Sequence, residues 1–171
     1  AVDPEDKTII VYRELYQKGL TGNALADKIT QMEESEIKSI TGVLDTSAWS
    51  RTGYAGPTIG ETLVGKGHKL RRADKNRIAG KVQVHENLRK RPENGRPRLQ
   101  IVSNCINLIR EIQGIPLSKT NSEDVDTNAS DHAYDALRYM LMSRPRLDHP
   151  YDRRLRIKTD AYSPSDSVFG Y

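Results

Sequence analysis

Apolar positions along this chain switch between the two-residue period of strands and the longer period of helices. Thr8-Ile-Ile-Val-Tyr-Arg-Glu-Leu15 is rich in β-branched and aromatic residues and predicts a strand. After the break at Gly19-Leu-Thr21, Thr21 can cap a helix whose Leu25, Ile29, Met32 and Ile37 fall roughly on one face. Ile40-Thr-Gly-Val-Leu-Asp-Thr46 is a short apolar run ending in an acid, the pattern of a buried strand with a carboxylate at its C-terminal tip. Ser47 to Pro57 reads as a loop carrying Trp49 and Tyr54. Thr58 to Val64 reads as a short helix closed by Gly65, and His68-Lys-Leu70 as a further short strand. Lys75 to Lys90 predicts a helix with Ile78, Val82 and Leu88 inward and its basic residues outward. A turn over Pro92 to Pro97 leads to a strand at Leu99-Gln-Ile-Val102. Cys105, Leu108, Ile109 and Ile112 then form the stripe of a packed helix, which makes Cys105 a core thiol. Residues 113–129 are polar and loop-like. Ser130 caps a last helix running to about Ser143, with Ala133, Ala136, Leu137, Met140 and Leu141 as its apolar face.

Strands and helices thus alternate, which favours a layered α/β domain with helices against a central sheet. From Arg144 the prolines and scattered charges show no period, so the reading is a domain over 1–143 and a polar tail over 144–171. The first strand begins behind a turn at Asp3-Pro4 and has no earlier strand to pair with. The expectation is therefore a sheet whose first strand or strands are missing from this chain.

Composition narrows the picture. Apolar residues are 36% of 171 and mean hydropathy is -0.70, so the core is not expected to use the whole chain. No run approaches the ~20 apolar residues of a membrane span, and no charged-then-apolar pattern opens the sequence, so a secretory route is not expected. A single cysteine excludes an internal disulfide and a multi-cysteine zinc cluster, and points to a reducing compartment. The net charge is +4, yet Lys66 to Arg98 holds twelve basic residues against Asp74, Glu86 and Glu93. The rest of the chain is therefore acidic. The basic segment lacks aromatics, so it suits contacts to a phosphate backbone better than base stacking.

Three features bear on chemistry, each with an ordinary reading beside the functional one. Asp45 ends an apolar strand, where open α/β sheets build sites; it also suits the cap of its own turn. In Asp131-His-Ala-Tyr-Asp-Ala-Leu-Arg-Tyr139, Asp131 and Asp135 lie one turn apart with His132 on their flank, and Arg138 lies three residues from Asp135. Acids in a first helical turn also suit the helix dipole. The basic segment is either a docking face or a solvated surface. Together the features suggest phosphodiester hydrolysis by two divalent metals. That chemistry needs carboxylates converging from different elements, and Mg²⁺ or Mn²⁺ prefers such oxygen ligands.

At these residues the chain resembles the C-terminal nuclease domain of the large terminase subunit of tailed phages. Ile10 to Thr21, Leu44-Asp-Thr-Ser-Ala48 and Ile59-Gly-Glu-Thr-Leu63 are similar to stretches of that family. Asp131 to Tyr139 is similar to its Asn-His-Ala-x-Asp-Ala-x-Arg-Tyr signature and is the most specific piece. The resemblance covers about residues 8 to 143. It implies an RNase H-like fold, a mixed central sheet flanked by helices. It also implies a metal-dependent endonuclease cleaving concatemeric double-stranded viral DNA during packaging in the host cytoplasm. On that reading Asp45 and Asp135 hold Mg²⁺ or Mn²⁺ in a two-metal site and His132 assists. Asp131, where the family usually has Asn, is a helix cap or an extra metal contact. Lys66, Lys69, Arg71, Arg72, Lys75 and Arg77 contact phosphates. The implied partners are double-stranded DNA, the terminase ATPase domain, the small terminase subunit and the portal protein. Two features of the family have no counterpart in the sequence. The acid of its opening strand is absent, and no Gly-x-x-x-x-Gly-Lys-Ser/Thr loop occurs, Gly65-Lys-Gly67 lacking the spacing. The rival readings are a non-catalytic DNA-docking module and another RNase H-like nuclease, such as a junction resolvase.

Overall fold

The strand expected from Thr8 forms, but only its first half pairs: β1 is Ile9–Val11. A computed structural model describes residues 1–36, 40–51, 56–116 and 130–144. After β1 come α1 (Gly22–Glu33), β2 (Thr41–Leu44), a 3-10 turn (Thr46–Trp49), α2 (Ile59–Gly65) and β3 (Lys69–Arg72). Then follow α3 (Arg77–Leu88), β4 (Leu99–Ile101), α4 (Ile106–Gly114) and α5 (His132–Ser143). The class is α/β, and the elements appear in the expected order. Ile37, Tyr54, most of the 113–129 loop and the tail beyond Arg144 lie outside the described residues. No helix among the described residues is long and apolar enough to cross a membrane.

Local signals account for the helix starts. Thr21 Oγ1 accepts from the Ala24 amide at 3.2 Å, which satisfies a donor that the helix cannot. Thr58 and Glu61 form a reciprocal capping box on α2. Asn76 caps α3 through the Ala79 amide.

Strand pairing departs from a single central sheet. Among the described residues β1 pairs with β4 and β2 with β3, each parallel, as two separate two-stranded sheets. The unit β2–α2–β3 is a short crossover, the connection that parallel strands require. The far edge of β1 is also not left bare: Ala1 and Ile10 exchange backbone hydrogen bonds of 2.7 and 2.9 Å, and Val2 bridges Ile9 antiparallel. The chain's first residues thus cover that edge by an isolated bridge, and no named strand precedes β1 among the described residues.

The main core lies where α3, α4 and α5 meet β1 and β4. Ile9, Val84, Leu99, Cys105, Leu108, Tyr134, Leu137 and Leu141 are buried together. Cys105 is fully buried, and burial, with Glu14 nearby, pushes its thiol pKa up, as befits an inert core thiol. On α3 the expected inward face is wrong in part: Ile78 and Val82 are 44% and 52% exposed. The face turned to the core carries Gly80 and Val84, with Leu88 packed against the cluster. The reason is α5. A Cβ on Gly80 would stand 2.3 Å from Cγ of Arg138, so α3 presents to α5 the one face that has no side chain at the contact.

Two glutamates cap helices distant in sequence. Glu14 accepts from the amides of Asn107 and Leu108 at 2.9 and 3.0 Å, opening α4. Buried Glu111 accepts from the amides of Ala133 and Tyr134 at 2.7 and 2.9 Å, opening α5. Ser130 was expected to cap α5. Instead its hydroxyl bonds Glu111 Oε1 at 3.2 Å, and the glutamate has taken the amides.

Candidate functional site

Asp45 follows the last residue of β2. Pairing with β3 holds the strand end, the Ala73 amide donating to the Leu44 carbonyl at 2.9 Å. The cap reading of Asp45 holds, and its two oxygens are used differently. Oδ1 accepts from the Ser47 amide at 2.6 Å and starts the 3-10 turn. Oδ2 accepts from the Tyr139 hydroxyl of α5 at 2.5 Å. Lys75 Nζ, beyond the end of β3, stands 3.5 Å from Oδ1. Burial alone would raise this carboxyl's pKa. The hydrogen bonds from Ser47 and Tyr139 and the charge of Lys75 outweigh it and hold Asp45 well below the usual carboxylate range.

Asp135 comes to the same hydroxyl from the first turn of α5. Its Oδ1 takes a fork from Arg138, Nε at 3.1 Å and a terminal nitrogen at 2.9 Å. Its Oδ2 lies 3.4 Å from the Tyr139 hydroxyl and 4.0 Å from Arg77. Two aspartates ninety positions apart are therefore no further from one another than the two bonds to one phenol allow. Arg138 is only 2% exposed, with Gly80 against its stem and the Tyr139 ring 4.7 Å from its guanidinium. The i,i+3 pairing of Arg138 with Asp135 was legible in the sequence. The part played by Tyr139 was missed, although its position four residues after Asp135 put the two on one face.

Asp131 and His132 stand aside from this pair. Asp131 Oδ2 lies 4.0 Å from Arg77, and the carboxyl pKa is raised by burial and by Asp135, against the pull of Arg77 and His132. It occupies the N-cap position of α5 without a side-chain cap bond. His132 is 74% exposed, 3.9 Å from Asp131. It makes no hydrogen bond or ion pair with Asp45 or Asp135; it lines an open, mostly apolar cleft of about 550 Å³ with Val11, Leu15, Leu137 and Met140.

The six basic residues divide. Lys75 and Arg77 reach the acids. Lys66 pairs with Asp27 of α1 at 2.5 Å, Arg71 donates to the Ser143 carbonyl, and Arg72 lies 5.3 Å over the Trp49 ring. Lys69 is exposed.

The donor set offered by Asp45 and Asp135 is all carboxylate oxygen, the chemistry that Mg²⁺ and Mn²⁺ take. Each acid has one oxygen tied to its own support, and the two Oδ2 atoms face the same point. Among the described residues no group of three or more His, Cys, Asp or Glu side chains is close enough to form a fuller metal cluster. No family model, curated protein or solved structure matches the chain.

Proposed function

We propose that this chain is a divalent-metal-dependent DNA endonuclease of RNase H-like type, akin to the nuclease domain of a large terminase subunit. The observation that carries the reading is the convergence of Asp45 and Asp135, one from a strand end and one from the last helix, on a single hydroxyl. Asp45 and Asp135 would hold Mg²⁺ or Mn²⁺ through their Oδ2 atoms. When bound, the cation would supply an activated water and neutralise charge on the scissile phosphate. The chain's own groups do the remaining work. The Ser47 amide fixes the rotation of Asp45, and the Arg138 fork fixes that of Asp135. Lys75, half exposed beside Asp45, would meet a backbone phosphate. Double-stranded DNA is the substrate on this reading. An ATPase domain, a small terminase subunit and a portal protein would be its partners in packaging.

Supercoiled plasmid incubated with the chain and Mn²⁺ tests the proposal. Nicking by the wild type and none by Asp45→Asn or Asp135→Ala is expected, with DNA retention in a gel shift left mostly intact. Full nicking by either variant would overturn the site.

One observation favours a second reading, a DNA-docking module without catalysis. The two acids have no third ligating partner among the described residues, and Lys75 and Arg77 already face them. Salt-sensitive DNA binding with no metal-dependent cutting would select it.

A further inference from the structure

We infer that Tyr139 controls cation access to the acid pair: its hydroxyl and a divalent cation compete for the same two carboxylate oxygens. The inference rests on the proposed reading of Asp45 and Asp135 as cation ligands and goes beyond it.

Asp45 Oδ1 accepts from the Ser47 amide, and Asp135 Oδ1 accepts both nitrogens of the Arg138 fork. What remains is Oδ2 of each, and these two atoms face the Tyr139 hydroxyl at 2.5 and 3.4 Å, with Arg77 4.0 Å from that of Asp135. The phenol therefore occupies the place where one ion bridging the two acids would sit. Its single proton can satisfy one of them, and the shorter distance assigns it to Asp45. Tyr139 is not free to swing away. It is 8% exposed, and the guanidinium of Arg138, itself buried, stands 4.7 Å from the ring. With the ring held, a cation can displace the hydroxyl only if the two carboxylates turn away from it, which breaks the bond to Asp45. This makes Tyr139 a positioning residue, whose one proton holds Asp45 beside Asp135 in the metal-free protein at the expense of cation affinity.

The prediction is that Tyr139→Phe, which keeps the ring and removes the hydroxyl, binds Mn²⁺ ~10-fold more tightly than wild type by calorimetry, the size expected from one charge-assisted hydrogen bond. Tyr12→Phe removes a similar phenol–carboxylate bond, to Glu36 at 2.6 Å, and should leave Mn²⁺ affinity unchanged. Equal or weaker binding by Tyr139→Phe, with binding still abolished by Asp45→Asn, would overturn the competition and leave the cation site standing. Folded wild type and folded Tyr139→Phe that both fail to bind Mn²⁺ would overturn both. If circular dichroism shows Tyr139→Phe unfolded, the wild type decides by nuclear magnetic resonance. Assigned Tyr139 ring resonances that shift with Mg²⁺ and saturate with the binding isotherm support the competition; resonances that stay put overturn it.

Discussion

Glu14 and Glu111, in the half of the molecule built on β1, α4 and α5, each accept from two backbone amides at a helix start; Asp45 and Asp135, where β2 meets α5, accept mostly from side chains, with one amide, that of Ser47, on Asp45. The first pair accept from amides that the helices leave open in any case. Such donors cannot move without unwinding a turn, so these carboxylates are fixed as struts. The second pair are held by the Ser47 amide on Asp45 and otherwise by side chains: buried Tyr139 and Arg138, and the more exposed Arg77 and Lys75. Those side chains are not part of a helix ladder, so their loss unwinds no turn. Burial alone thus does not describe a buried or half-buried acid; the groups that satisfy it differ between the two regions.

The comparison breaks first at Glu111. Glu111→Ala strips two amides and the Tyr16 and Ser130 hydroxyls of their acceptor. A loss of about 3 kcal/mol in urea unfolding is expected, since each buried donor left unpaired costs roughly 1–3 kcal/mol. A loss below about 1 kcal/mol would mean that the strut is dispensable. Gly80→Ala attacks the support of the other region from behind. The added methyl meets the Arg138 stem, and an overpacking cost of about 1–3 kcal/mol is expected to exceed the ~1 kcal/mol gain in helix propensity. Because Arg138 orients Asp135, the same variant should weaken any Mn²⁺ binding; a stabilised protein with unchanged binding would contradict the contact.

A pH series sharpens the contrast. Burial tends to raise the Glu14 carboxyl pKa, but its amide donors win and hold it below its ordinary value. Its stabilising contribution is therefore fully present above the unfolded pKa of about 4.3 and is lost as pH falls through the folded value. Glu14→Gln should cost stability at pH 7 and progressively less, relative to wild type, as pH drops below 4; a difference that is flat with pH would remove the charge from the cap. The smallest effect is expected at Lys66→Ala. Its pair with Asp27 is exposed, so a change within about 0.5 kcal/mol is predicted, and a larger one would give that contact a role.

Much of the local structure was legible because its causes are local. Thr21 and Thr58 announce helix starts by side chains that reach amides within three residues. The acid at the end of β2 and the periodic face of α5 could be read for the same reason. The inward face of α3 could not. Periodicity identifies an apolar stripe but not the neighbour that selects it, and here a buried arginine from α5 required a glycine. The role of His132 was implied by the resemblance; in the fold its ring is exposed and lines a different cleft.

By itself, then, the sequence determined where helices begin, the α/β order and which acids end a strand or open a helix, since those depend on residues a turn apart. The tertiary structure alone decided that β1 joins β4 and β2 joins β3, that Glu14 and Glu111 cap helices far along the chain, and that Asp45 and Asp135 share the hydroxyl of Tyr139. Each of these is a long-range contact, whose partner is chosen by the packing of whole elements and leaves no spacing in the chain.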